Sequence, residues 1–150
     1  MRNDVLQLVF AFLVLIVGAG GEALLPHVMG VGFPILLMAV LFLSARTELV
    51  PAILFAVSAG AVEDALSCLA PMTSVSYFLV LTAIVRRLGW VSPVAVCVFP
   101  CYQLWLSVWT GGFNAFAQIL IAFPIGVVTA SGVRWVLAET FERAAIDGRG

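Results

Sequence analysis

Two adjacent carboxylates, Glu63 and Asp64, are the side chains best placed to do chemistry in this sequence. They close an apolar stretch, Ala59-Gly60-Ala61-Val62-Glu63-Asp64, in which no other residue is charged. A carboxylate at membrane depth is costly and needs a partner or a water-filled cavity. Consecutive residues on a helix point about 100° apart, so the two cannot meet the same neighbour. The pair admits three roles: caps at a headgroup-level helix end, a polar joint to another helix or a partner protein, or a proton-carrier site. Their place near the end of an apolar run, away from mid-bilayer, argues against the carrier.

The other reactive residue types make no recognisable set. His27 is the only histidine, and no Ser, Cys or metal-ligand spacing accompanies it. Cys68, Cys97 and Cys101 are odd in number and form no CxxC pair. Cys97 and Cys101 share a helical face, where small apolar filler is favoured over a metal or redox site. Gly18-Ala19-Gly20-Gly21 lacks the strand and lysine of a phosphate loop, and suits close helix packing or a frayed helix end. No enzyme activity, cofactor or metal is expected. Gln103, Asn114 and Gln118 can hydrogen-bond across helices for about 1 kcal/mol each. No internal repeat or low-complexity segment is evident.

These side chains must be positioned by elements of a membrane kind. The chain is 63% hydrophobic and 10% charged, against about 45–50% and 25% in soluble domains. A soluble domain of this size has too much surface to hide so many apolar side chains. Spanning helices need about 20 apolar residues. Six runs approach this, near 5–23, 28–45, 49–65, 72–85, 91–109 and 113–133. The first is expected to be a retained helix, not a cleaved signal. Residues 1–134 thus read as one six-helix transmembrane domain, with 135–150 a short, partly helical cytoplasmic tail. Pro51 and Pro93 fall at helix starts, whereas Pro34, Pro100 and Pro124 are expected inside helices as kinks. Trp90, Trp109 and Trp135 lie near helix ends as interfacial anchors, and Trp105 extends that belt.

All seven basic residues are arginines. With the N-terminus inside, Arg2, Arg46, Arg86, Arg87, Arg134, Arg143 and Arg149 all fall on the cytoplasmic side, and the three outer segments hold none. Both termini are therefore expected in the cytoplasm, with Glu63 and Asp64 facing out. Arg86-Arg87 is first a topology signal, and alternatively a docking point for anionic lipid or a cytoplasmic partner. No basic patch carries interleaved aromatics, which excludes nucleic acid as a ligand.

The stretch from Pro34 to Leu88 resembles the MreD family, the membrane subunit of the bacterial rod-shape complex. Pro34 opens the second span and Arg46 follows it. A small-residue helix then leads to Gly60-Ala61-Val62-Glu63-Asp64, which matches the family's Gly-x-x-x-Asp. Leu66-Ser67 forms the turn, Tyr77-Phe78-Leu79 the aromatic stretch of the fourth span, and Arg86-Arg87 its basic end. There are departures. Glu63 stands at a usually apolar position, and Cys68 and Met72 stand where glycines are common.

The resemblance implies a compact all-α bundle of six transmembrane helices, similar to the substrate-binding subunits of energy-coupling-factor transporters. It implies a non-enzymatic scaffold in the bacterial inner membrane. The partner would be a bitopic MreC-like protein, with the peptidoglycan synthase complex and MreB-like filaments reached through it. Gly60, Glu63, Asp64, Pro34, Arg86 and Arg87 would form the partner contact or structural joint. The alternative is a vitamin-binding transporter subunit. Against that alternative, few polar or aromatic groups are expected to converge on one outer cavity.

Overall fold

The computed structural model describes residues 2–25, 31–88, 92–110 and 115–147, all in or beside six helices. They are α1 (Arg2–Leu24), α2 (Ile35–Arg46), α3 (Leu49–Leu66), α4 (Thr73–Leu88), α5 (Ser92–Thr110) and α6 (Ala115–Asp147). Side chains are described for most of these residues; those of Arg2, Arg143 and Asn114 lie outside the described set, as do His27, Trp90 and Arg149.

Three helices contain stretches long and apolar enough to cross a membrane: Gln7–Leu24, Leu49–Leu66 and Ala117–Thr140. They make the chain a multi-pass membrane protein. Their outward faces fit that solvent, since Phe12, Val17 and Val128 are among the exposed residues.

α2 is the exception in length and the centre in packing. Its 12 residues rise about 18 Å, short of the roughly 30 Å hydrocarbon core. Every residue from Leu36 to Ser44 is buried, and α2 touches all five other helices. A helix that is apolar all round belongs inside a bundle. Its start corrects the expectation from sequence. Pro34 does not kink a longer helix but precedes the first turn as its cap residue. Its carbonyl accepts from Met38 N at 3.1 Å, and its own missing N–H costs nothing there. Residues 31–34 are apolar yet not helical, so hydrophobicity alone overextended this segment.

Three further prolines fall within the elements expected to hold them. Pro51 sits in the first turn of α3, and Pro100 and Pro124 lie inside α5 and α6. Neighbouring helices α3 and α4 pack as one hairpin and α5 and α6 as another, while α1 rests on α2 and α3. The tail expected from Trp135 continues α6 without a break to Asp147. Trp135–Asp147 contains neither Gly nor Pro to interrupt it, and Ala, Leu, Glu and Arg favour helix.

Candidate functional site

Gly60 and Asp64 lie one turn apart on the face of α3 that meets the start of α4. A Cβ at Gly60 would stand 2.6 Å from Val75 Cα and 2.7 Å from Val75 N. Only glycine allows this backbone approach. Asp64 Oδ1 then accepts from Ser74 N at 2.7 Å. Ser74 is the second residue of α4, so its N–H has no partner within the helix. The carboxylate from α3 fills the role of an N-cap and meets the positive end of the helix dipole. Asp64 is buried, and Glu63 beside it is only half-buried and turns elsewhere. The two acids part company as the 100° rule requires.

The turn between these helices keeps the shape that glycine would favour. Cys68 has φ 51° and Met72 φ 73°, both in the left-handed region that L side chains enter at a cost. The turn is held closed by Leu69 N donating to the Asp64 carbonyl at 2.9 Å and Thr73 Oγ1 to the Ala70 carbonyl at 2.8 Å.

A second joint of the same design links α1 to α2. Glu22 Oε1 accepts from Leu36 N at 2.7 Å. Leu36 is again the second residue of its helix, and Glu22, like Asp64, lies two residues before the end of its own. Gly18 precedes Glu22 by four, as Gly60 precedes Asp64. A Cβ on Gly18 would stand 2.8 Å from Leu36 Cδ2. The α1–α2 and α3–α4 pairs thus share one Gly-x-x-x-acid joint. Glu22 was missed in the sequence reading, although the cost of a charge inside an apolar run applies to it as it does to Asp64.

The start of α4 also ties in α5. Ser74 Oγ and the Tyr102 hydroxyl are 2.6 Å apart, and Trp105 Nε1 donates to the Thr73 carbonyl at 3.0 Å. Tyr77 donates to the Val98 carbonyl at 2.7 Å, and its ring lies 5.1 Å from that of Tyr102. Trp105, expected as an extension of an interfacial belt, thus fastens two helices.

Beside these joints is a cavity of about 540 Å³ lined by Glu22, Glu63, Tyr102, Gln103, Phe33 and Phe99, with Pro34 at its wall. The Glu22 and Glu63 side chains interact there. Glu63 also accepts from Ser67 Oγ at 3.2 Å. The expectation that few polar or aromatic groups converge on one cavity is corrected by this lining. Gln103 belongs to it, whereas Gln118 does not.

No family model, curated protein or solved structure matches this chain.

Arg46, Arg86 and Arg87 stand at the opposite end of the bundle. Arg86 Nη1 donates to the Thr47 carbonyl at 2.9 Å, just past the end of α2. The Arg46 guanidinium lies 5.3 Å from the Phe42 ring centroid. Ser44 and Thr82 join α2 to α4 through buried hydroxyls 3.0 Å apart. Arg87 is exposed. Of the six residues singled out from sequence, Gly60, Glu63, Asp64 and Pro34 gather at one end, and Arg86 and Arg87 stand at the other. Cys68, Cys97 and Cys101 are free and exposed. Among the described residues no group of three His, Cys, Asp or Glu side chains could hold a metal ion.

Proposed function

We propose that this chain is a non-enzymatic scaffold subunit of the bacterial cell-elongation complex, of the MreD kind. In this reading it sits in the inner membrane with six membrane segments and both termini in the cytoplasm. It binds a bitopic MreC-like partner and through it supports peptidoglycan synthesis. The observation that carries the reading is the Gly60–Asp64 joint. The motif on which the resemblance rests is the one that locks α3 to α4, through a glycine contact and a capped helix start. A scaffold works by presenting a fixed helical surface, and polar groups spent on internal joints serve that end. The arginines, all on one side in this topology, supply its orientation.

The test is crosslinking followed by gentle-detergent pulldown from the native host. The expected result is recovery of an MreC-like partner with cell-wall synthesis proteins, and Asp64→Ala should lower that recovery more than Glu63→Ala. Recovery of no cell-wall component would end this assignment. The cavity favours a second reading, a small-molecule subunit of an energy-coupling-factor type transporter. A stoichiometric vitamin seen by native mass spectrometry would move the assignment there.

A further inference from the structure

The packing of the α5–α6 hairpin changes at its two interior prolines, Pro100 and Pro124. On one side of them Ala95, Val98 and Phe99 of α5 and Ile125, Thr129 and Ala130 of α6 are buried. On the other side no described side chain is buried in residues 103–110 or 117–121. The prolines stand at one level of the hairpin, because Phe99 meets Gly126, where a Cβ would lie 3.1 Å from Phe99 Cβ. Each proline lacks the N–H that would close its own helical turn, which leaves the Val96 and Leu120 carbonyls without that bond. Sharp bends in helices sit at such residues. One weakened helix would be splinted by its neighbour, whereas two weakened at the same height make a hinge.

The arm beyond the hinge, residues 103–110 with 117–121, has few ties to the rest of the bundle. Among the helices α5 touches only α2, α4 and α6, and α6 touches only α2 and α5. Among the described residues two hydrogen bonds fasten this end of the hairpin to the first turn of α4. Trp105 Nε1 donates to the Thr73 carbonyl, and the Tyr102 and Ser74 hydroxyls pair. The Tyr77 bond to the Val98 carbonyl lies on the packed side of Pro100 and pins the hairpin there. Gln103 and Leu106 of the arm line the 540 Å³ cavity, as Glu63 and Leu66 of α3 do. Segments with little buried surface and few bonds open at low free energy, and a hinge gives that opening a direction. We propose that this arm is a lid on the cavity, turning about Pro100 and Pro124 and latched to α4 by Tyr102 and Trp105. The inference rests on neither reading of the protein's overall role.

The test measures distances across the cavity by double electron–electron resonance, with the full chain in phosphatidylglycerol nanodiscs. Leu66→Cys and Leu106→Cys carry the nitroxides, and the free cysteines are removed as Cys68→Ser, Cys97→Ser and Cys101→Ser. A reference pair, Ile84→Cys with the native Cys97, reports the packed side of the hinge. Tyr102→Phe keeps the ring and removes the latch hydroxyl. It should raise the ratio of long to short Leu66–Leu106 distances by about fivefold, the worth of one hydrogen bond. The reference pair should stay unchanged. Trp105→Phe should act in the same direction. In the Tyr102→Phe chain, adding Pro100→Ala and Pro124→Ala should return the cavity pair to a single distance. One distance in the parent and Tyr102→Phe chains alike would overturn the lid. Two distances that survive loss of both prolines would overturn the hinge. An equal change in both pairs would mean general loosening and overturn the proposal as well. Partner recovery is not read in this experiment, so its outcome is separate from that of the scaffold test.

Discussion

At the α3–α4 joint the side chain that Gly60 lacks would land on the backbone of Val75, whereas at the α1–α2 joint that of Gly18 would meet the tip of Leu36. The acids differ in the same sense. Asp64 is short, buried and ten residues from the amide it caps, while Glu22 is longer, lines a cavity and reaches across fourteen. One design thus appears once as a rigid weld and once with slack. The difference teaches that a shared motif does not carry a shared cost. What stands opposite the glycine decides it.

Substituting the two glycines should break this comparison most visibly. Gly60→Ala is expected to cost about 3 kcal/mol, the upper range for overpacking, because backbone cannot step aside. Gly18→Ala should stay within about 1 kcal/mol, since a leucine tip can rotate away. Unfolding in detergent micelles measures both, and equal losses would erase the distinction between weld and slack. The acids come next. Asp64→Ala strands a buried Ser74 N–H and should cost about 2 kcal/mol. Glu22→Ala removes a cap at a cavity edge, where water can substitute, and should cost about 1 kcal/mol. Hydrogen exchange would show the loss locally, at the first turn of α4 or of α2. The turn gives the smallest effect. Cys68→Gly should raise stability by about 0.5 kcal/mol, as relief of a left-handed φ outweighs the entropy glycine adds. A melting temperature that falls in this variant would mean the turn gains more from the side chain than its backbone loses.

Much of this was legible in the sequence, for identifiable reasons. The helices α3, α4 and α5 begin and end close to where their apolar runs do, because proline, arginine and acidic residues punctuate them. Asp64 stood out because a charge in an apolar run is conspicuous, and its separation from Glu63 followed from helix geometry alone. Where the reading failed, it met two unlike structures with one composition. Residues 31–34 carry the apolar run into α2, and Pro34, which marks the true start of α2, read equally as a kink inside a longer helix. The glycines around Gly18 read as fraying, which hid Glu22 beside them. The shared joint was obscured because the two acids differ and their capped amides lie at unequal distances. Tyr102 and Ser74, twenty-eight residues apart, could be paired only by the packing of α5 on α4.

The shortness of α2 bears on how the protein enters its membrane. A helix of 12 residues cannot wait alone in a bilayer, because its polar ends would lie in hydrocarbon without partners. Glu22 meets one end and Arg86 reaches the carbonyl beyond the other. Glu22 belongs to α1, the helix before α2, and Arg86 to α4, the second helix after it. For this segment a place in the membrane is tied to assembly: the two ends of α2 find these partners only where α1 and α4 stand beside it.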